Sequence, residues 1–107
     1  MPRPSARVAA LLLAAGLAGG AAGAPKLASI VVDNLTFGPA PARLKVGERL
    51  RWVNRDLFRH SATADDKSFD VDLPPGGQAE IVLKRPGVFT YARKYHPGMK
   101  GRIVVSR

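Results

Sequence analysis

The chain has 107 residues, a formal net charge of +9 and no cysteine. That length holds one small core and leaves no room for a second domain, while the missing cysteine excludes a disulfide framework, a thiolate metal ligand and a cysteine nucleophile. The positive charge reads either as a solubilising surface or as steering toward an acidic protein or anionic lipid; no nucleic-acid motif accompanies it.

At the start, Arg3 and Arg7 precede the apolar run Val8–Ala15, and small residues follow from Gly16. This is the layout of an export signal peptide, residues 1–24, cleaved near residues 22–24. The run is shorter than the ~20 apolar residues a membrane span needs. The mature domain, residues 25–107, is therefore expected in the periplasm or secreted, as a monomer without a transmembrane span. Losing Arg3 and Arg7 lowers its formal charge to +7.

Beyond the leader, short apolar runs alternate with Gly, Pro and Asp, a spacing that predicts strands and no long helix. Leu27–Val32 and Leu35–Phe37 form two short strands broken by Asp33-Asn34. Gly38-Pro39-Ala40-Pro41 must be an edge or a crossing loop, since proline has no N–H to give a central strand. Leu44 and Val46, then Leu50, Trp52 and Asn54, alternate with polar neighbours around Gly47-Glu48 and predict a hairpin. Phe58–Ala64, Phe69–Leu73, Ala79–Leu83 and Val88–Tyr91 follow as strands, with Pro74-Pro75-Gly76-Gly77 and Arg85-Pro86-Gly87 as turns. After an irregular stretch, Arg102–Val105 closes the chain. About eight such strands predict an all-β, two-sheet Greek-key sandwich, its core supplied by Trp52, Val53, Ile81, Leu83, Phe89, Tyr91, Ile103 and Val105.

Groups able to carry chemistry are few. The histidines are His60 and His96, and Met99 is the one methionine after the initiator. A His-Pro-Gly-Met run in a tight turn can bring an imidazole nitrogen and a thioether to one centre, a pair that suits copper. Taken singly, each histidine is as well explained by structural hydrogen bonding and Met99 by core filling. No paired carboxylates, nucleophile–base set or phosphate loop is present, so no enzyme is expected.

The stretch Phe37–Asn54, the approach Asn54-Arg-Asp-Leu-Phe-Arg-His60, and Pro74–Gly77 followed by Gly87-Val-Phe-Thr-Tyr91 resemble the small blue-copper proteins, the cupredoxins. The final segment is the most specific. Amicyanin-like members carry Tyr-x-Cys-x-x-His-Pro-x-Met-x-Gly, and here the run is Tyr91-Ala-Arg93-Lys-Tyr-His96-Pro-Gly-Met99-Lys-Gly101, so every anchor matches except the cysteine. The resemblance implies that His60 and His96 are imidazole ligands, Met99 is the axial thioether and Arg93 stands at the lost thiolate position. Ser61 replaces the asparagine common after the first histidine, and it and Asn54 are candidates to hydrogen-bond around the ligands.

Without a thiolate the centre cannot be blue. A guanidinium 4 Å from a monovalent ion would cost about 4 kcal/mol at an effective dielectric near 20, so Arg93 must point away if metal binds. Two readings remain. In one, copper is the cofactor or cargo, held by three neutral ligands that favour Cu(I), in a periplasmic carrier or atypical electron-transfer protein serving an acidic redox or copper-handling partner. In the other, the sandwich is metal-free and Arg59, Arg93, Lys94 and Lys100 form a binding surface for an anionic protein or membrane.

Overall fold

The computed structural model describes residues 26–107, apart from the side chains of His96 and Pro97; the leader expected over residues 1–24 lies outside the described residues. Nine strands form among them: β1 (Leu27–Asp33), β2 (Thr36–Phe37), β3 (Leu44–Lys45), β4 (Arg49–Asn54), β5 (His60–Ala64), β6 (Asp70–Leu73), β7 (Gln78–Val82), β8 (Gly87–Arg93) and β9 (His96–Ser106). No helix among them is long and apolar enough to cross a membrane. The strands make two sheets, β2-β1-β4-β7 and β3-β9-β8-β5-β6. The two-sheet all-β sandwich is the predicted class, with nine strands where about eight are expected; β2 and β3 are only two residues long.

Alternation builds the core. In β4 the buried positions are Leu50, Trp52 and Asn54, and in β1 they are Ala28, Ile30 and Val32. Trp52 and Tyr91 meet edge to face at 5.4 Å, and Phe37 lies 4.8 Å from Tyr91. Fully burying one such side chain stabilises the fold by roughly 1.5–3 kcal/mol. Leu83, Ile103 and Val105 are buried as expected, and Ile81 and Phe89 pack half-buried against the cluster. Val53 does not belong to it. Strand residues point alternately to opposite faces, so the burial of Trp52 and Asn54 turns Val53 outward. Gly101 is required beside Tyr91, where a Cβ would stand 2.3 Å from the ring.

The hairpin expected around Gly47-Glu48 is not formed. β3 pairs in parallel with β9 (Leu44↔Val105), whereas β4 pairs with β1 and β7, so this turn carries the chain from one sheet to the other. Gly47 takes φ 96 and donates its N–H to the Leu83 carbonyl, and Glu48 Oε1 accepts from Lys45 N. Leu44 and Leu50 both end in the core either way, which is why alternation does not separate a hairpin from a crossing between sheets.

Two further departures shape the site. Strand β5 begins at His60 and not at Phe58, because the Phe58 carbonyl is taken by the side chain of Asn54. The stretch read as irregular before Arg102 belongs to β9. Arg93 pairs with His96 and Ala92 with Lys100, so residues 97–99 bulge from a ladder that is otherwise continuous to Gly87↔Val105. A bulge bends the strand and re-aims its side chains without ending the pairing.

Candidate metal centre

His60 opens β5 and is fully buried. Its Nε2 lies 2.8 Å from Asp56 Oδ2. The same carboxylate accepts the backbone N–H of Asn34 on Oδ1 at 2.8 Å and that of Leu35 on Oδ2 at 2.9 Å. Asn34 and Leu35 form the two-residue turn between β1 and β2 with φ of 52° and 57°, the positive values that tight hairpin turns demand. A leucine seldom adopts that conformation, and the bond to Asp56 holds it there.

Burial works against the ionised form of Asp56, but the two amides and the His60 ring outweigh it and hold the carboxyl below its usual range. An ionised carboxylate only accepts hydrogen bonds, so the proton between the two groups sits on Nε2 of His60. In the neutral ring Nδ1 then carries the lone pair. It is buried and has no hydrogen-bond partner among the described residues. A carboxylate that orients one ring nitrogen while the other is free is the arrangement that prepares histidine for a metal.

Asn54 knits the loop that carries both groups. Its Nδ2 donates to the carbonyls of Phe58 (2.8 Å), Leu73 (2.9 Å) and Pro74 (3.1 Å), and its Oδ1 accepts Asp56 N at 2.9 Å. Ser61 is buried, and its Oγ accepts the Lys94 N–H at 2.7 Å across the sheet. That bond ties the β8–β9 turn to the start of β5.

The remaining predicted residues lie on that hairpin. Arg93 donates through Nε (3.1 Å) and Nη2 (2.6 Å) to the carbonyl of Arg59, the residue before His60. Its charge is thereby committed to a backbone acceptor. Met99 is buried in the bulge and belongs to the hydrophobic cluster. The backbone of His96 pairs with Arg93; its side chain lies outside the described residues. Among the described residues no group of three or more imidazole or carboxylate side chains is gathered to hold an ion, so His60 is the described nitrogen donor at this end.

Asp56 escaped the sequence reading. Its signal was the lone acid four residues before the first histidine, but its decisive partners are backbone amides 21 and 22 positions away. Large apolar side chains also stand exposed on these segments: Leu57 at 89% and Tyr95 at 65%, together with Phe58 and Leu35.

Residues 6–105 match the Cupredoxin-like domain family. The chain is 27% identical to Amicyanin-alpha of Methylorubrum extorquens over 112 residues, covering 94% of each. A Cu-containing nitrite reductase from Thermus scotoductus is 27% identical with a TM-score of 0.69, over 79% of this chain and 23% of that one. The Cu(I) form of an amicyanin mutant is 22% identical with a TM-score of 0.63, over 79% and 87%. Sandwich topology, the residues 91–101 pattern and the family match converge: the chain belongs to the cupredoxin-like family.

Proposed function

We propose that this protein is an exported, cupredoxin-like copper-binding module without a thiolate ligand, acting in the periplasm as a copper carrier or atypical electron-transfer protein and not as an enzyme. One observation carries the reading: Nδ1 of His60 is buried and unpartnered among the described residues, while Nε2 faces Asp56 at 2.8 Å. Leaving a buried polar atom unsatisfied costs about 1–3 kcal/mol, a cost that a bound ion would offset. Copper supplies a soft acceptor that changes oxidation state by one electron.

The residues that would hold it are His60, His96 and Met99, all uncharged. No ligand then neutralises the ion, which favours Cu(I) over Cu(II). Arg93 holds its guanidinium on the Arg59 carbonyl, one residue before His60, so its charge stays near the site and weighs further toward the less highly charged Cu(I). The similar nitrite reductase contains copper, and the similar amicyanin mutant is a Cu(I) form. The exposed apolar residues Leu57, Phe58 and Tyr95, with basic neighbours such as Arg55, suit docking to an acidic redox or copper-handling partner.

The reading as a metal-free anion-binding surface loses support from the same contacts. Of its four cations, Arg59 pairs with Asp72, Lys94 with Asp70 at 2.9 Å, and Arg93 is bound to the backbone. Titration with Cu(I) and Zn(II) tests the proposal. The mature protein is expected to bind Cu(I) more tightly, with at least tenfold weakening in each of His60→Ala, His96→Ala and Met99→Ala. Equal weak affinity for both ions, unchanged by those substitutions, would refute it.

A further inference from the structure

The strands β6 and β7 each end their sheet and face one another across the sandwich. Between them runs a groove of about 540 Å³, within the range of about 300–1,000 Å³ typical of small-molecule sites. Its floor is formed by Phe69, Val71, Ile81, Leu83, Phe89 and Ile103. Four of these, Phe69, Val71, Ile81 and Phe89, pack against the core yet are only half-buried, so core-quality apolar surface reaches solvent here. None of the candidate copper ligands lines the groove.

The rim is cationic. Lys84 has no ion-pair partner among the described residues, and Arg85 lies 5.8 Å over the Phe89 ring with its nearest carboxylate, Asp66, at a loose 3.7 Å. The acid on the rim, Asp70, is already engaged by Lys94 and by the Thr63 hydroxyl, both at 2.9 Å. What remains uncompensated at the mouth is positive charge.

We infer that this groove binds a single-chain anionic amphiphile: an unbranched aliphatic chain laid along the floor, its terminal carboxylate between Lys84 and Arg85. The floor offers no side-chain hydrogen-bonding group to read a sugar or a base, so it selects bulk apolar shape. Burial of the chain is driven by removing both apolar surfaces from water, and the head gains charge-assisted bonds at the rim. A second copy of this chain is a poor occupant. It would bring a domain of formal charge +7 against the same cations.

Calorimetric titration of the metal-free mature protein with dodecanoate, dodecyltrimethylammonium and dodecyl maltoside, each below its critical micelle concentration, separates chain from head. Trp52 is the sole tryptophan and lies 5.4 Å from Phe69, so its fluorescence reports filling of the floor. Dodecanoate is expected to bind one-to-one, at least tenfold tighter than the cationic amphiphile. The double variant Lys84→Glu/Arg85→Glu should reverse that preference, and Val71→Phe should weaken dodecanoate by narrowing the floor. The inference is overturned by absence of saturable binding, by equal affinity for all three heads, by dodecanoate binding unchanged in the double variant, or by dimerisation that occludes the groove. Copper titration is independent of every one of these outcomes, so failure here and failure of the copper proposal are told apart.

Discussion

Two halves of the candidate centre have had different fates. The Asn54–Ser61 segment is complete as a holder of an imidazole: Asn54 staples the loop to three carbonyls, and Asp56 fixes the ring from one side while being fixed by the β1–β2 turn. The Arg93–Met99 segment has Arg93 at the position that the resemblance gives to a ligand cysteine, and its guanidinium donates to the Arg59 carbonyl. The difference teaches that ligand geometry and ligand charge are separable. A hydrogen-bonded frame of this kind can stand without an ion, because each of its bonds stabilises the fold whether or not an ion is present.

The largest change should come from returning the missing charge. Arg93→Cys replaces a guanidinium by a sulfur that is ionised readily beside a metal, at the position three residues before His96 and six before Met99. Loaded with Cu(II), the variant is expected to gain the intense visible absorption of copper–thiolate charge transfer, where the wild type stays nearly colourless. A folded variant that takes up Cu(II) without that band, or that only cross-links through its new thiol, would show that the second half has drifted from ligand geometry.

Next in size is Asn54→Ala. It strands three carbonyls and the Asp56 amide at the floor of the first half, and is expected to destabilise the domain by about 3 kcal/mol. Urea unfolding at neutral pH reads this directly. A loss below about 1 kcal/mol would mean the loop does not depend on its staple.

The smallest effect concerns the outer anchor of the second half, where Asp70 receives the Lys94 ammonium and the Thr63 hydroxyl and is held below the ordinary carboxylate range by them. A carboxyl depressed on folding supplies stability that is full above its unfolded value near 4 and is lost as pH falls through the lower folded value. Asp70→Asn should therefore flatten the acid side of the stability profile below about pH 4, with little lost at neutral pH because the pair is exposed. An unchanged acid slope would show that the ion pair does not anchor the turn.

Much of this fold was legible from alternation alone. Leu50, Trp52, Tyr91, Ile103 and Val105 sit inside because a period of two admits one face at a time, and the same rule, applied strictly, would have turned Val53 outward. Pattern carries no information about which strand lies beside which. The crossing at Gly47 and the parallel β1–β4 and β3–β9 pairs depend on contacts far apart in sequence. At the centre, scarcity singled out His60 and Met99, and the burial of both follows. Asp56 stayed hidden because its role is set by amides of a turn that no local motif connects to it.

The proposed copper site turns on one atom, Nδ1 of His60, and nitrogen-15 spectroscopy of the histidine rings observes it. In the metal-free mature protein near pH 7, His60 should appear as the neutral tautomer protonated on Nε2, with Nδ1 unprotonated. One equivalent of Cu(I) should then shift the Nδ1 resonance and leave the Nε2 proton in place on its bond to Asp56. A proton found on Nδ1, or an Nδ1 resonance unmoved by Cu(I), would contradict it.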